Sequence, residues 1–439
     1  MKSHNANRFL RAAVLLAIVF GGNTLAQAQT LTTIWSFTGT NGDGEYPYPY
    51  GHLAFDSNGA MYGTTASGGT SYNGTVFQLV PPTVPGGAWT ENVLYRFTGG
   101  NDGRQPSTGV VFGQDGALYG TTYNGGGTLQ ACGGGCGVVF KLTPPAVAGG
   151  AWTESVLYAF QGGYDGATPG DVVFGPNGTL YGTTAGGGLP AFSCRRVGCG
   201  TVFQLTPPTK RDSSWTKTIL YTFPGTATDG RSPTYEIVFD SHGALYGTTA
   251  GGGTSNYYGT VFQLAPPAKA NGAWTETVLH NFTGGSDGGY PGGGLAIGTD
   301  GSVYGAASYS GVANDSGTVF QLTPPAVAGG PWTYTVLHTF AGGSDGATPA
   351  STPTFDQNGN LYGTTENGGS SACYQGCGTV FKLAPPSGGG AWTETVLHNW
   401  PSSGQNPNAS IVVFHNGLLY GTTTYLGAAD LGSAFTLVP

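Results

Sequence analysis

One unit recurs seven times along this chain, and that recurrence restricts the fold more than any local propensity does. The dipeptide Tyr-Gly returns in a fixed frame at Tyr62, Tyr119, Tyr181, Tyr246, Tyr304, Tyr362 and Tyr420, at spacings of 57, 62, 65, 58, 58 and 58 residues. Around each Tyr the same words return: an apolar run, a Gly-bearing turn, Leu-Tyr-Gly-Thr-Thr, a Gly-rich loop, Gly-Thr-Val-Phe-Gln-Leu, Pro-Pro, and Trp-Thr-Glu-Thr-Val-Leu. Each unit therefore encodes four short strands. In the second unit, the continuous apolar stretch Gly109–Phe112 reads as an inner strand, and Gln114-Asp115-Gly116 turns the chain into Ala117–Thr122. Gly137–Leu142 is rich in β-branched and aromatic residues and ends at Pro144-Pro145, since proline cannot donate to a ladder. Trp152–Phe160 alternates Trp, Glu, Val and Tyr against Thr, Ser, Leu and Ala, which predicts a half-exposed outer strand.

Four-stranded units repeated seven times predict an all-β fold, a seven-bladed β-propeller; a unit of 58 residues is too long for one coil of a β-helix. The chain ends supply an independent test. Leu31-Thr32-Thr33-Ile34-Trp35-Ser36-Phe37 reads as a fourth strand without its unit, whereas the last unit stops after its third strand, Ser433-Ala434-Phe435-Thr436-Leu437. Together they make a complete seventh blade, closing the ring through the N-terminal strand and leaving no unpaired end blade. One propeller domain spanning residues 29–439 is expected.

Lys2, Arg8 and Arg11 precede an apolar run from Ala12 to Phe20, and Ala26-Gln27-Ala28 fits a signal-peptidase site, so residues 1–28 read as a signal peptide removed on export. The run is too short for a stable membrane anchor. Of 14 basic residues three lie in that segment and all 22 acidic ones lie beyond it, which leaves 11 basic residues and a net charge of −11. Such a balance disfavours nucleic acid and anionic lipid as partners. Gly numbers 81, which without periodicity would suggest low complexity; with the period the glycines become turns. Six cysteines fall as three close pairs, Cys132 with Cys136, Cys194 with Cys199, and Cys373 with Cys377. In an oxidising compartment these are expected as local disulfides, each closing a loop of about five residues and contributing roughly 2 kcal/mol. Zinc is the rival reading, but no second Cys-x-x-Cys-like half and no nearby His accompany them.

These repeated words resemble those of the Gloeo/Verruco (GloVer) repeat proteins, a Gly-rich tandem repeat family of bacteria, with Leu-Tyr-Gly-Thr-Thr, Gly-Gly and Gly-Thr-Val-Phe carrying the likeness from Gly51 onward. The resemblance implies the repeat and the export and no particular chemistry. The chain ends at its closing strand, so free release without an anchoring segment is expected.

In a propeller the loops from strand four to the next strand one, and from strand two to strand three, share a face. The opposite face receives the Asp-x-x-Gly hairpins, such as Asp56 to Gly59, and the Pro-Pro connections; both look architectural. The first face varies. Its strand-two-to-three loops carry Tyr72, Tyr123, Phe192, Tyr257 with Tyr258, Tyr309, Tyr374 and Tyr425. Its inter-blade loops add Tyr46, Tyr48, Tyr50, His52, Arg104, Arg231, Tyr235 and Glu236. Flat rings with a polar tip, mixed with a few charged hydrogen-bonding groups, suit the C–H faces and hydroxyls of sugars. A repeat-fixed aromatic can equally serve to fold its own loop, a reading that weakens where Tyr50, His52, Arg104, Arg231 and Glu236 break the repeat.

Asp-Gly recurs in six inter-blade loops, at Asp43, Asp102, Asp165, Asp229, Asp287 and Asp345, and is absent before Pro407. It is a turn signal first. Structural calcium is the competing reading, but the ligand-dense Asp-x-Asp-x-Asp pattern is missing. His280, His338 and His398 align with Tyr95, Tyr158 and Tyr221, so they are repeat substitutions on an outer strand. No Gly-x-Ser-x-Gly elbow, His-Glu-x-x-His, phosphate loop or dinucleotide fingerprint occurs. The sequence therefore points to a non-catalytic, monomeric, cofactor-free binding protein for an extracellular polysaccharide, or for a surface protein. Two alternatives stand beside it. A polysaccharide lyase would draw its base and cation from His52, Tyr50, Arg104 and Arg231, and a glycosidase would pair Glu236 with Asp171. A structural protein of the cell surface or matrix would need none of them.

Overall fold

A computed structural model describes residues 31–47, 53–106, 108–127, 132–147, 149–188, 194, 198–210, 213–226, 228–254, 257–269, 272–309, 315–327, 329–373, 375–400, 412–425 and 429–439. Residues 1–28, read from the sequence as a signal peptide, lie outside them. Seven four-stranded antiparallel blades follow one another, their strands a to d running outward from the ring axis. In blade 2 these are Val110–Phe112, Leu118–Thr122, Val138–Thr143 and Thr153–Ala159, within a residue or two of the predicted bounds. In blades 1, 5 and 6, strand a is split into two short pieces that both pair with strand b.

Blade 7 takes strands a to c from Val412–His415, Leu418–Thr423 and Ser433–Leu437, and its strand d from Leu31–Ser36 at the other end of the chain. The closing register pairs Leu31 with Leu437, Thr33 with Phe435 and Ser36 with Ser433. The N-terminal strand thus covers what would be an open edge.

The core lies between blades. The aromatic that ends each strand d meets the Phe of the next blade's strand c edge-on: Phe37 with Phe77, Phe97 with Phe140, Phe160 with Phe203, Phe223 with Phe262, Phe282 with Phe320, Phe340 with Phe381, and Trp400 with Phe435, at centroid separations of 5.0 to 5.7 Å. This T-shaped contact adds to the area each ring buries. Near the axis, hydroxyls tie neighbouring blades together: Thr121 Oγ1 donates to Gly170 O (2.9 Å), Thr248 Oγ1 to Gly293 O (3.2 Å) and Ser308 Oγ to Pro349 O (3.0 Å).

The glycine that opens Gly-Thr-Val-Phe is explained by the same junctions. Gly137 has φ +93°, and a Cβ there would meet Pro169 Cδ of the next blade at 2.5 Å. Gly74, Gly200, Gly259, Gly317 and Gly432 stand in the same relation to Pro106, Pro233, Pro291, Pro349 and Pro47.

One detail departs from the predicted alternation. Each strand d carries a bulge, in blade 2 between Val156 and Tyr158. The extra residue breaks the period of two, leaves Val156 exposed and turns Leu157 toward the core beside Tyr158. The three predicted disulfides are present, with Cα separations of 5.3, 5.2 and 5.2 Å. Among the described residues, no helix is long and apolar enough to cross a membrane.

Candidate functional site

The two faces differ sharply in what they expose. Among the described residues the exposed tyrosines are Tyr72, Tyr123, Tyr164, Tyr257, Tyr290, Tyr309 and Tyr425; each belongs to a d-to-a or b-to-c loop, lies at the end of strand b leading into one, or, for Tyr290, lies in the short first piece of strand a that follows a d-to-a loop, hence all belong to one face. The exposed aliphatics Val84, Val147 and Val327 lie in c-to-d loops of the other. That second face is built by repeat-fixed contacts. In its hairpins an Asp accepts both turn N–H groups and a Tyr hydroxyl, as Asp56 does from Asn58, Ala60 and Tyr62. Of two clefts here, the one of about 540 Å³ lies between the closing strand and the c-to-d loop of blade 1, and the one of about 420 Å³ is walled by hairpin parts that include Asp115, Tyr119 and Trp215. Lys141 and Asp115 neutralise one another there at 2.6 Å. These residues already have structural partners.

The tyrosine face is shaped by a backbone feature that the repeat imposes. Tyr46, Gln105, Thr168, Ser232, Tyr290 and Thr348 occupy the same place, just before the inter-blade proline, and all have φ between 52° and 59°. Their N–H groups bond across the blade junction, Tyr290 N to Tyr258 O at 2.7 Å and Gln105 N to Asn73 O at 2.8 Å. A non-glycine residue is held left-handed only where its surroundings over-determine it. Here the cross-junction bond and the following proline do so, and at Gln105 and Tyr290 the side chain stands exposed on the face.

Three clusters result. At the junction of blades 4 and 5, Tyr290 lies edge-on between Tyr258 and Tyr309, each at 5.7 Å. Tyr258 is half-buried against Gly284 and Gly289, where any Cβ would strike its ring; it supports its neighbours. Beside it, Arg231 sits over the ring of Tyr257 at 5.9 Å. At the closing junction Tyr46 and Tyr425 meet at 5.6 Å. In blade 2, Arg104 pairs through its main chain with Asn124, whose side chain donates to Gln105 Oε1 at 2.7 Å, and Tyr123 N donates to Gln105 O. Arg104 folds over the Cys132–Cys136 loop, close against Gly134, and its Nε is buried without a hydrogen-bond partner.

Of the predicted site residues, Tyr48, Tyr50, His52, Phe192 and Tyr374 lie outside the described residues. Arg104 and Arg231 belong to blades 2 and 4. Tyr235 contributes its carbonyl to Thr183 Oγ1 at 3.5 Å, a blade-joining bond. Asp171 is buried in strand a of blade 3, and Glu236 lies close to Gly294 of blade 5. Two exposed tyrosines, Tyr164 and Tyr290, are additions to the predicted set. Tyr290 aligns with Tyr46 before the inter-blade proline, a signal present in the sequence.

The Asp of each Asp-Gly loop acts as a turn cap. Asp102 accepts from Thr98 N and Oγ1, Gly100 N and the Tyr95 hydroxyl. His280 takes the tyrosine's part toward Asp287 at 3.1 Å, as the alignment of outer strands requires. Among the described residues, no three His, Cys, Asp or Glu side chains converge on a point where a metal ion could sit.

A family model described as the Gloeobacter/Verrucomicrobia repeat matches residues 19–191, 126–375 and 192–435. No curated protein matches the chain. Among solved structures, the chain is similar to a PL25 polysaccharide lyase, an ulvan lyase, bound to -[GlcA(1-4)Rha3S]-, with 8% identity over 93% of this chain and 95% of that one and a TM-score of 0.54. A second structure of a PL25 ulvan lyase gives 9%, 93%, 95% and 0.53. PorZ, a bacterial surface component of the type-IX secretion system of Porphyromonas gingivalis, gives 14% identity, 89% of this chain and a TM-score of 0.50; this chain spans 46% of its length. At these identities the likeness is one of fold.

Proposed function

The chain belongs to the Gloeobacter/Verrucomicrobia repeat family, and from that premise and the one-sided placement of the exposed tyrosines among the described residues we propose that it is an exported, non-catalytic protein that binds an extracellular polysaccharide. The observation that carries this reading is the confinement of the exposed tyrosines to one face. Stacking a pyranose on a phenol ring removes C–H surface from water and leaves the hydroxyls free to bond. Gln105, Asn124, Arg231 and the tyrosine hydroxyls are polar groups of the kind they require. Polysaccharide-lyase structures among the propellers of similar fold support a carbohydrate as the class of ligand. Export is supported by the three disulfides, which persist in oxidising compartments.

The test is an array of plant, algal and bacterial polysaccharides presented to the purified protein and scored for retention and for release of unsaturated or reducing ends. Retention without product is expected. Product formation would replace the binding reading by catalysis, and silence on every glycan would replace it by a structural role.

A further inference from the structure

The repeat word Trp-Thr-Glu sets a carboxyl group on strand d, and the structure brings it to the Asp-Gly loop that enters its blade. At the strand-d position from which Lys217 reaches Asp165 at 2.7 Å in blade 3, Glu91 lies within the field of Asp43, Glu154 of Asp102, Glu276 of Asp229 and Glu394 of Asp345. Each Asp already caps the strand d of the preceding blade, so each pair bridges two blades. In all four Glu residues, Oε1 is buried and has no hydrogen-bond partner. Two like carboxylates drawn out of water repel one another as long as both are ionised.

The other junctions show what the position requires. In blade 3 the same place holds Lys217, whose ammonium is 2.7 Å from Asp165 Oδ1 and also donates to Asp165 O. In blade 5 it holds Tyr334, whose hydroxyl donates to Asp287 O. In blade 7, where the loop has no Asp, the aligned residue is Leu31, part of the apolar core. Wherever the loop Asp is present and the partner is not Glu, the partner is a donor; where the Asp is missing, the partner is apolar. A glutamate can donate in only one way, by carrying a proton.

We propose that Glu91, Glu154, Glu276 and Glu394 are protonated carboxylic acids that donate to their Asp-Gly loops, making four of the seven blade junctions pH-dependent fasteners. The groups facing each are few. Glu91 feels the charges of Asp43 and Arg96, Glu154 that of Asp102 and lies near Tyr95, Glu276 that of Asp229 and lies near Tyr221, and Glu394 that of Asp345, which also binds His338. Burial first, and the Asp charge second, push Glu91 up to about 8 and the other three to about 7. A carboxyl whose value is raised on folding stabilises the fold fully below its unfolded value of 4.5, and that contribution is lost as pH rises through 7 to 8.

Thermal unfolding of the full chain between about pH 5 and about pH 9 is the test. The melting temperature is expected to fall as pH rises across this window. The quadruple variant Glu91→Gln, Glu154→Gln, Glu276→Gln, Glu394→Gln, whose amides donate without titrating, is expected to lose that slope, and Lys217→Glu to steepen it. A slope that survives the four glutamines overturns the proposal. So does a rise in melting temperature on adding calcium to the wild-type protein near pH 8 that the four glutamines abolish, since the pairs would then hold a metal instead of a proton. Should the quadruple variant not fold, difference infrared spectroscopy of the wild-type protein decides: a carboxylic-acid carbonyl band titrating near neutral pH is expected, and its absence overturns the assignment.

Discussion

Tyr290 shows how a single residue can be both strained and exposed for one reason. Its φ of 52° is imposed by the bond to Tyr258 O and by Pro291, and 40% of its surface stays open at the centre of a tyrosine trio. If sugars stack here, Tyr290→Ala and Tyr309→Ala should each weaken polysaccharide retention about five-fold, the equivalent of about 1 kcal/mol for one aromatic contact. Their melting temperatures should stay close to wild type, because the lost surface is mostly exposed. Val327→Ala, on the opposite face, should leave retention unchanged. Affinity electrophoresis in gels containing the retained glycan measures all three; equal losses from both faces would remove the tyrosine face from the site. Tyr309 was legible in the sequence because it follows the repeated strand b. Tyr290 was harder to find: its alignment with Tyr46 is visible, but the left-handed backbone that aims it outward depends on a bond to a loop 32 residues earlier.

At the scale of the element, strand b to strand c and the blade junction behind them are one unit. The glycine opening strand c looks in sequence like a turn residue, and it is one, but its second duty is to receive the proline of the next blade. Gly137→Ala should therefore cost about 1 to 3 kcal/mol, from an unfavourable φ and a collision with Pro169, instead of the stabilisation that Gly→Ala brings at permissive sites. Urea denaturation checks this, with Gly149→Ala as the control: it shares a positive φ but has open space around its Cβ, so a smaller loss is expected. An equal loss at both sites would assign the whole cost to φ and none to the junction. The strands themselves were legible because their composition and punctuation repeat. The bulge in strand d was not, since an inserted residue in Thr-Glu-Ser-Val-Leu-Tyr changes no residue type and shows only in the register with strand c. Nor were the Glu–Asp pairs, which join residues about 50 positions apart whose proximity depends on the blade twist.

The whole molecule depends on one seam that the sequence announced through its two incomplete ends. Along the rest of the ring consecutive blades are covalently connected, but blade 7 is completed by a strand that lies some 400 residues from its partner. The seam also buries Phe37 completely, receives Phe37 N–H on Gly432 O at 3.0 Å, and receives Tyr46 N–H on Leu431 O at 2.7 Å. Removing residues 31–37 would forfeit the burial of Phe37, about 2 kcal/mol from its area alone. It would also strip the ladder from Ser433–Leu437 and leave that strand as an apolar edge able to pair with another chain. The truncated protein is expected to melt at a lower temperature than the intact one and to associate more strongly as its concentration rises. Because the missing strand contributes hydrogen bonds and packed side chains, Phe37 with Leu31, Ile34 and Trp35, rather than a covalent link, a synthetic peptide of residues 31–37 added in excess should restore the melting temperature and suppress the association, as donor-strand binding does at other open edges. Sedimentation velocity and calorimetry with and without the peptide measure both effects. A truncated chain that stays monodisperse and melts like the intact one would mean that the inter-blade aromatic contacts alone hold the ring, and that the closing strand decorates a propeller already stable without it.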